Sequence, residues 1–505
     1  MSYFSSLGSR VLGYPGCDAA ARYIINYFNR TLGLKVLLNE YVTAVPIDEG
    51  SSIIVPSLNT SIEAYALWPR GGVQEQVGNV AGQLYYIRNG EWEDIEGIDL
   101  SNAIVVMEFN SGKNWLRAVS LGAKGVVFLG TDATDKFEAL AKGTSVPLNV
   151  PLLYVDRKHR DLILKLAATH EKVILSSRLR WHKVTGRNIV AILPGESTDD
   201  VIIVSAHYDS WSIVPAKSPA AEESLSISIL LEIARAFSES KNKFRRTIWF
   251  VAYSGIWEGL IGPVEFVENV IFNTSARVWL QIDLDISTET PFLDAMFFNI
   301  IPYTTANALP YFSSLAARFA WIQTIATQEL SRLRVEALGL PVLGNRTTLS
   351  EFVRFNFFGY YWGTQPDLNY MLACIPFMQT SGMAFTVRTQ YARRNHWFTP
   401  VNDLGLIRWE NVKPQAYVVA ALAYVFANYD DYGVSYDTIR PRRLVIVGQA
   451  ALGYATLYGK TVEFSYETGW YKPVPNVLVR LRVIPYDSEL TWPFAYRYTF
   501  SGANG

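Results

Sequence analysis

Hydrophobic and polar positions change their spacing along the chain in a way that marks separate regions. Residues Cys17 to Arg30 carry apolar side chains at helical spacing, and Lys35 to Leu38 then form a short apolar run, so a helix leading into a strand is predicted. From about residue 47 to 180 the pattern changes to short β-rich runs, including 83–87 and 103–107. This change predicts an inserted β-rich domain at residues 46–185.

After residue 187 apolar strands alternate regularly with amphipathic helices. The predicted strands are 188–193, 201–206, 247–253, 278–284 and 383–389, and the predicted helices are 222–240, 260–270 and 410–428. Strands this apolar predict an α/β fold, with a mostly parallel central sheet and helices on both faces. Functional side chains are then expected at the carboxyl ends of the strands.

Beyond Tyr432 the pattern returns to alternating short strands, which predicts a C-terminal β-sandwich at residues 431–505. Since the pattern stops in mid-run, a truncated domain is expected there. The predicted organisation is an α/β domain built from 1–45 and 186–430, the inserted domain 46–185, and this C-terminal domain.

Composition narrows the classes of function. Lys and Arg total 45 against 46 Asp and Glu, so no long-range positive field is available to recruit nucleic acid. No apolar run reaches the roughly 18 residues that span a bilayer, so no membrane segment is expected within this chain. Cys17 and Cys374 allow at most one disulfide, and two cysteines so far apart in sequence are more typical of small buried hydrophobic residues.

The first residues that suggest chemistry are His207 and Asp209, directly after the strand 201–206. An imidazole and a carboxylate at a strand end suit a metal site, in which the carboxylate orients the histidine. Taken alone, such a pair more often forms an ordinary hydrogen bond at a strand end. The motif alone leaves both interpretations open.

Several strings in fixed order resemble the family of di-zinc aminopeptidases that includes glutamate carboxypeptidase and the transferrin receptor. They are Leu7–Gly13, Thr185–Ala191, Ser205–Ser210 and Arg246–Val251, and the resemblance covers roughly residues 7 to 428. Residues 99–130, including Leu121–Val127, resemble the protease-associated domain that the carboxypeptidase branch carries at this point. The resemblance implies a zinc aminopeptidase-like fold with that domain inserted.

The resemblance also implies where metal ligands would stand. Such enzymes hold two zinc ions with two His, a bridging Asp, a Glu and a further Asp, and a second Glu is the general base. His207 matches the first His, Asp209 the carboxylate that orients it, and Asp283 the further Asp. Counting back along the helix from Leu231 places the bridging Asp position at Glu222.

Besides the conservative change to Glu222, three positions depart from the family pattern in the type of side chain. Ile256 occupies the general-base position, a loss that costs about a hundredfold to ten-thousandfold in rate. Trp257 replaces the Glu ligand, and Phe398 stands where a His would precede Thr-Pro-x-Asp. His207 and Asp283 are then the unchanged ligand matches, whereas a zinc site normally needs at least three protein groups.

Three hypotheses follow from these departures. In the first, the chain is a catalytically inactive homologue without a cofactor, used for binding, structure or assembly. In the second, it is an active zinc exopeptidase, an aminopeptidase or carboxypeptidase, with Glu258 and His396 as displaced groups. In the third, His207, Asp283 and Glu222 form a weak or vestigial mononuclear site that only stabilises the fold.

Partners and location are expected from weaker signals. The aromatic segment Pro302 to Trp362 is explained either by core packing or by an oligomer interface. The second explanation implies protein partners or a homo-oligomer, which are expected for an inactive binding protein. Family habit and the inserted domain favour an extracellular or cell-surface location. Glycosylation sequons begin at Asn29, Asn59, Asn273 and Asn345. They add little, because about three would arise by chance.

Overall fold

The structure is a computed structural model of the 505-residue chain. It describes residues 1–69, 75–144, 148–241, 243–296, 309–356, 372–447, 450–453, 457–482 and 496–505. Side chains are described within these ranges except at 309–318, 356, 445–447, 450–453 and 482. Within the aromatic segment 302–362, explained either by core packing or by an oligomer interface, residues 302–308 and 357–362 lie outside the described residues.

The predicted strands and helices are present, although β5 and β9 begin well before the residues predicted for them. The strands are Lys35–Asp48 (β1), Ser52–Val55 (β2), Thr60–Glu63 (β3), Tyr65–Ala66 (β4), Gln76–Tyr86 (β5), Ile104–Glu108 (β6), Gly125–Leu129 (β7), Leu152–Val155 (β8), Lys172–Leu193 (β9), Ser197–His207 (β10), Arg246–Tyr253 (β11), Arg277–Asp285 (β12), Leu293–Met296 (β13), Val353–Asn356 (β14), Ala384–Thr389 (β15), Leu444–Val447 (β16), Ala450–Gly453 (β17), Val462–Ser465 (β18), Trp470–Pro473 (β19), Leu478–Arg482 (β20) and Tyr496–Phe500 (β21). The helices are Ser2–Ser5 (α1), Pro15–Asn26 (α2), Trp92–Ile95 (α3), Asn114–Ser120 (α4), Lys136–Leu140 (α5), Arg160–Ala168 (α6), Ser224–Ser238 (α7), Ile261–Phe266 (α8), Leu309–Leu330 (α9), Ile375–Met378 (α10), Val412–Asn428 (α11) and Tyr436–Ile439 (α12). Single π-helical turns, Tyr27–Thr31 and Val267–Ile271, continue α2 and α8.

The centre of the main sheet is parallel, as predicted. Strand β10 pairs in parallel with β11 on one side and β12 on the other, and β12 pairs in parallel with β15. All eight residues of β11 are buried, which is what the continuous apolar run predicted for a strand covered on both faces. The carboxyl ends of these four strands therefore meet at one edge of the sheet.

The long strand β9 joins the central sheet to the inserted region. It pairs antiparallel with β11 at one end and with β5 at the other, and it pairs with β1 along all of β1. The predicted domain boundaries at 45/46 and 185/186 fall inside β1 and β9, so the two regions share a continuous pair of strands. A separate hydrophobic cluster is formed within the inserted region by residues between 53 and 179.

The described part of the C-terminal region forms two-stranded antiparallel sheets, β16 with β17, β18 with β19, and β20 with β21. Strand β21 anchors this region to the main sheet. The Tyr498 ring lies 4.4 Å from the Trp181 ring on β9, and the Thr43 hydroxyl donates to the Tyr498 carbonyl at 2.9 Å. Both strands of the β18–β19 pair are largely exposed.

Two further sequence-based expectations concern the cysteines and the membrane. Cys17 and Cys374 are both buried and both free thiols, in agreement with their prediction as small buried side chains. Within the described residues, no helix combines the length and apolar character needed to cross a bilayer.

Candidate functional site

The carboxyl edge of the parallel strands brings together residues that lie far apart in sequence. His207 ends β10, and Asp283 stands near the end of the adjacent β12. Asp283 accepts hydrogen bonds from Ser205 Oγ on β10 at 2.8 Å and from Thr386 Oγ1 on β15 at 3.3 Å. Burial raises the pKa of Asp283 to about 7, although the Ser205 hydroxyl opposes the shift. This carboxyl group is held by neighbouring strands rather than exposed to a ligand.

His207 and Asp209 form the pair that the sequence suggested. His207 Nδ1 lies 3.3 Å from Asp209 Oδ1, and the other carboxylate oxygen of Asp209 accepts from the Ile256 backbone N–H at 3.1 Å. Burial lowers the pKa of His207, but its contacts with Asp209 and the nearby negative charge of Glu223 outweigh burial and raise that pKa above its ordinary value. Asp209 thus orients His207 and fixes the turn that carries Ile256.

Trp257, in the turn after β11, fills the space in front of His207. Its ring meets His207 edge-on, with centroids 5.7 Å apart and planes at 88°. It also meets Trp397 at 5.7 Å and Phe398 at 5.5 Å, both nearly perpendicular. Edge-to-face packing of this kind is the favoured geometry for aromatic pairs. Trp257 is only 2% exposed, so the space facing His207 is occupied by hydrophobic packing.

Phe398 completes this aromatic cluster from a strained backbone. Its φ is +68°, a conformation that is uncommon for a bulky residue and concentrates at functional sites. The strain is held by the loop after β10, since the Ile213 N–H donates to the Phe398 carbonyl at 3.0 Å and Ser212 Oγ donates to it at 3.3 Å. The Phe398 ring then packs edge-on against Trp211 at 5.3 Å.

Buried arginines neutralise a carboxylate beside the cluster. Arg394 is 0% exposed, and its Nη1 lies 2.5 Å from Asp285 Oδ1. Arg388 Nε approaches the other oxygen of Asp285 at 3.0 Å. Burial alone would raise the pKa of Asp285, but the two guanidinium charges lower it below its ordinary value. The Arg394 guanidinium also stacks 4.0 Å over the Trp397 ring, which joins the ion pair to the aromatic cluster.

Only a small cavity remains between these groups. Its volume is about 20 Å³, and its lining includes His207, Ile256, Trp257, Asp283 and Asp285. A single water needs at least about 10 to 15 Å³, whereas small-molecule pockets measure about 300 to 1,000 Å³. The cavity has room for about one water and not for an amino-acid side chain.

Comparison with models of protein families shows what the strands at this edge of the sheet are similar to. The model of peptidase family M28 matches residues 188–335, from β9 through β10, β11 and β12 and on past α9. Residues 188–335 are similar to a peptidase family M28 domain. The matched residues include His207, Ile256, Trp257 and Asp283, whereas Phe398 lies after them in the sequence.

Curated relatives carry peptidase names. The chain is 22% identical to a probable glutamate carboxypeptidase of Arabidopsis thaliana over 370 residues, 57% of this chain and 51% of that protein. It is 29% identical to an aminopeptidase of Mus musculus over 203 residues, 37% of this chain and 26% of that protein. A probable glutamate carboxypeptidase of Arthroderma benhamiae is 33% identical over 113 residues, 21% of this chain and 15% of that protein. The chain thus spans about half or less of these relatives' length.

Among solved structures, the fold is similar to a zinc aminopeptidase from Bacillus subtilis. The TM-score is 0.50 at 16% sequence identity, covering 87% of this chain and 96% of the other. This likeness confirms the predicted fold class, a large and mostly parallel sheet with helices.

Two residues at the expected ligand positions do not suit a zinc ion. Trp257 and Phe398 present an indole and a phenyl ring at positions where the resemblance implies a carboxylate and an imidazole, and neither ring is a zinc ligand in proteins. Within the described ranges, no three His, Cys, Asp or Glu side chains are arranged as a metal-binding group. His207 and Asp283 line the same cavity, and Glu222 is not part of that lining.

Glu222 and its neighbour Glu223 face different surroundings. A carboxylate oxygen of Glu222 accepts from the Thr288 N–H at 3.1 Å, and its own N–H donates to Asn402 Oδ1 at 3.2 Å. Burial raises the pKa of Glu223 to about 7, opposed by the nearby charges of His207 and Arg10. Glu223, rather than Glu222, is therefore the glutamate in electrostatic contact with His207.

The displaced groups of the exopeptidase hypothesis lie away from the cavity. Glu258 is 2% exposed, and burial, followed by the charge of Asp209, raises its pKa well above the ordinary value. Its carboxyl oxygens have no hydrogen-bond partner among the described residues. His396 Nδ1 lies 2.9 Å from the Thr134 carbonyl of the inserted region. Neither residue lines the cavity around His207.

Sequence reasoning missed the charged groups that surround the cluster, namely Asp285, Arg388, Arg394 and Glu223. One of them carried a usable signal. Asp285 lies two residues after Asp283 on β12, so strand alternation places both on the same face. Arg394 carried no such signal, because it lies in an irregular loop with φ of +51°.

Proposed function

We propose that this chain is a catalytically inactive relative of the M28 zinc peptidases that acts as a binding or assembly protein. The observation that carries the proposal is the packing of Trp257 against His207 and Phe398 at the former ligand positions. Ile256 adds a second loss, since its side chain cannot accept a proton from water. Peptide hydrolysis would need metal ligands, a general base and open space beside His207. Ile256, Trp257 and Phe398 stand where these would be.

The charges left at the site support the same proposal. In a zinc peptidase the metal neutralises the converging carboxylates, whereas here Asp285 is paired with Arg388 and Arg394. Asp285 thus has its charge compensated by side chains of this chain.

Hydrolysis assays test the proposal directly. Purified protein with added zinc is incubated with amino-acid amides and with peptides that end in glutamate, and a zinc aminopeptidase serves as positive control. We expect no hydrolysis above that of a His207→Ala/Asp283→Ala variant, which controls for contaminating proteases. Zinc-dependent hydrolysis that this variant lacks would contradict the proposal and favour the active exopeptidase.

We further propose an extracellular or cell-surface location. The side chains of Asn29, Asn59, Asn273 and Asn345 are all exposed, so each sequon is accessible to glycosylation. Protein isolated from its native source is expected to lose mass on enzymatic removal of N-linked glycans. A native protein that carries no glycan at any of the four sites would count against this location.

Self-assembly is the simplest form of the proposed binding role. Light scattering on the full chain at micromolar concentration distinguishes a monomer from a symmetric oligomer. A stable dimer or larger species supports assembly of the chain with itself, whereas a monomer directs the search to a different protein partner.

A further inference from the structure

A second cleft opens at the opposite edge of the sheet from His207. It has a volume of about 720 Å³ and lies where the segment Arg440–Arg443 passes the beginning of β12. Arg277, in its lining, begins β12, whereas Asp285 at the His207 cavity ends the same strand. At about 3.3 Å per residue the two places are roughly 25 Å apart. The cleft shares no lining residue with the cavity around His207.

Four arginines and one aspartate line this cleft. Arg277 is paired with Asp200, with Nε 2.8 Å from Oδ1, and Arg443 is paired with Glu268. These two guanidinium charges are already compensated.

The other two arginines are available to a ligand. Arg442 Nη2 donates to the Asp437 backbone carbonyl at 2.8 Å, which positions the guanidinium without neutralising its charge. Arg440 is exposed and forms no ion pair with any residue that the structure describes. Arg442 and Arg440 thus present two fork-shaped donors, which suit the two oxygens of a carboxylate.

Apolar side chains form the rest of the cleft. Phe272, Val278 and Tyr436 are part of the lining, and the guanidinium of Arg443 stacks 4.6 Å from the Phe272 ring centroid. This stacking and the ion pair with Glu268 hold Arg443 in place beside the apolar surface. A ligand that fills the cleft must therefore combine negative charge with apolar groups.

We propose that the cleft binds an acidic peptide segment of a protein partner, with carboxylates on Arg440 and Arg442 and an apolar side chain against Phe272 and Tyr436. A sulfated polysaccharide suits it less, because a polyanion would leave the apolar lining uncovered. The acids at the cleft, including Asp437, also limit the positive field on which polyanion binding depends. The proposal does not depend on the loss of peptidase activity, since the two sites are separate.

Selection from a displayed random-peptide library tests the proposal on the full chain. Enriched peptides are synthesised with a fluorescent label, and their Kd is measured by anisotropy at physiological salt, before and after enzymatic removal of any glycan at Asn273. The test variant is Arg440→Glu/Arg442→Glu. The matched control, Arg22→Glu/Arg30→Glu, makes the same charge change at two exposed arginines of the N-terminal helical segment. All four positions are exposed, so both variants are expected to fold.

We expect enriched peptides to contain Asp or Glu together with an apolar residue. Charged hydrogen bonds of this kind predict about a tenfold to hundredfold weaker Kd in the Arg440→Glu/Arg442→Glu variant, and no change in the control. Enrichment without acidic residues, or equal binding by both variants, would overturn the proposal. Tight binding of heparin without enrichment of any acidic peptide would also overturn it, in favour of a polyanion site.

Discussion

Replacing Trp257 with alanine tests whether this side chain has become part of the hydrophobic core. It is 2% exposed and packs edge-on against His207, Trp397 and Phe398. Truncating a buried tryptophan costs about 3 to 5 kcal/mol, and each aromatic pair contributes about 0.5 to 1.5 kcal/mol. We therefore expect Trp257→Ala to lower the free energy of unfolding by about 4 kcal/mol.

Urea unfolding followed by circular dichroism measures this change through the shift in midpoint. The matched control is Trp409→Ala, since Trp409 is 53% exposed and should cost about 1 kcal/mol or less. If Trp257→Ala does not fold, Trp257→Phe should show a smaller loss in the same direction. A Trp257→Ala protein as stable as the Trp409→Ala control would refute the interpretation of Trp257 as a core residue.

Three further outcomes follow from buried charges. Arg394→Met should lower the free energy of unfolding by about 3 kcal/mol, because Asp285 loses one of its buried partners. The same change at exposed Arg393 should have little effect, and equal urea midpoints of the two variants would contradict the prediction. Burial lowers the pKa of Lys142 to about 8, below its unfolded value of about 10.5, so its contribution to stability should rise between these pH values. Over that interval the melting temperature of the wild type should therefore rise relative to that of Lys142→Met. Parallel curves would count against the lowered pKa of Lys142. Glu258→Gln should change the free energy of unfolding at pH 7 by about 1 kcal/mol or less, because burial raises the pKa of this carboxyl and favours its neutral form; a much larger loss would contradict this.

The fold was predictable because its elements have strong periodic patterns. Strands such as β11 are continuous apolar runs, and α7 carries buried residues at helical spacing, so local sequence and burial agree. The extent of β9 was not predictable, since its 22 residues pass from one region to another through polar positions. The C-terminal β-strands were expected, whereas their pairing depends on contacts between distant residues.

The altered site could be predicted only where neighbouring residues still align with the strings of the resembling family. Ile256, Trp257 and Phe398 could be placed by neighbouring strings, but their mutual packing depends on loops that no pattern describes. The count back from Leu231 to Glu222 runs past the first residue of α7, Ser224, so helical spacing no longer fixes which glutamate faces His207.

Metal content shows whether the site beside His207 still binds zinc. The full chain is purified without chelators, saturated with zinc, desalted and measured by inductively coupled plasma mass spectrometry. We expect far less than one zinc per chain, because Trp257 and Phe398 occupy the ligand positions and the cavity beside His207 has a volume of about 20 Å³. Zinc close to two ions per chain, lost on mutation of His207 and Asp283, would contradict it and restore the peptidase interpretation.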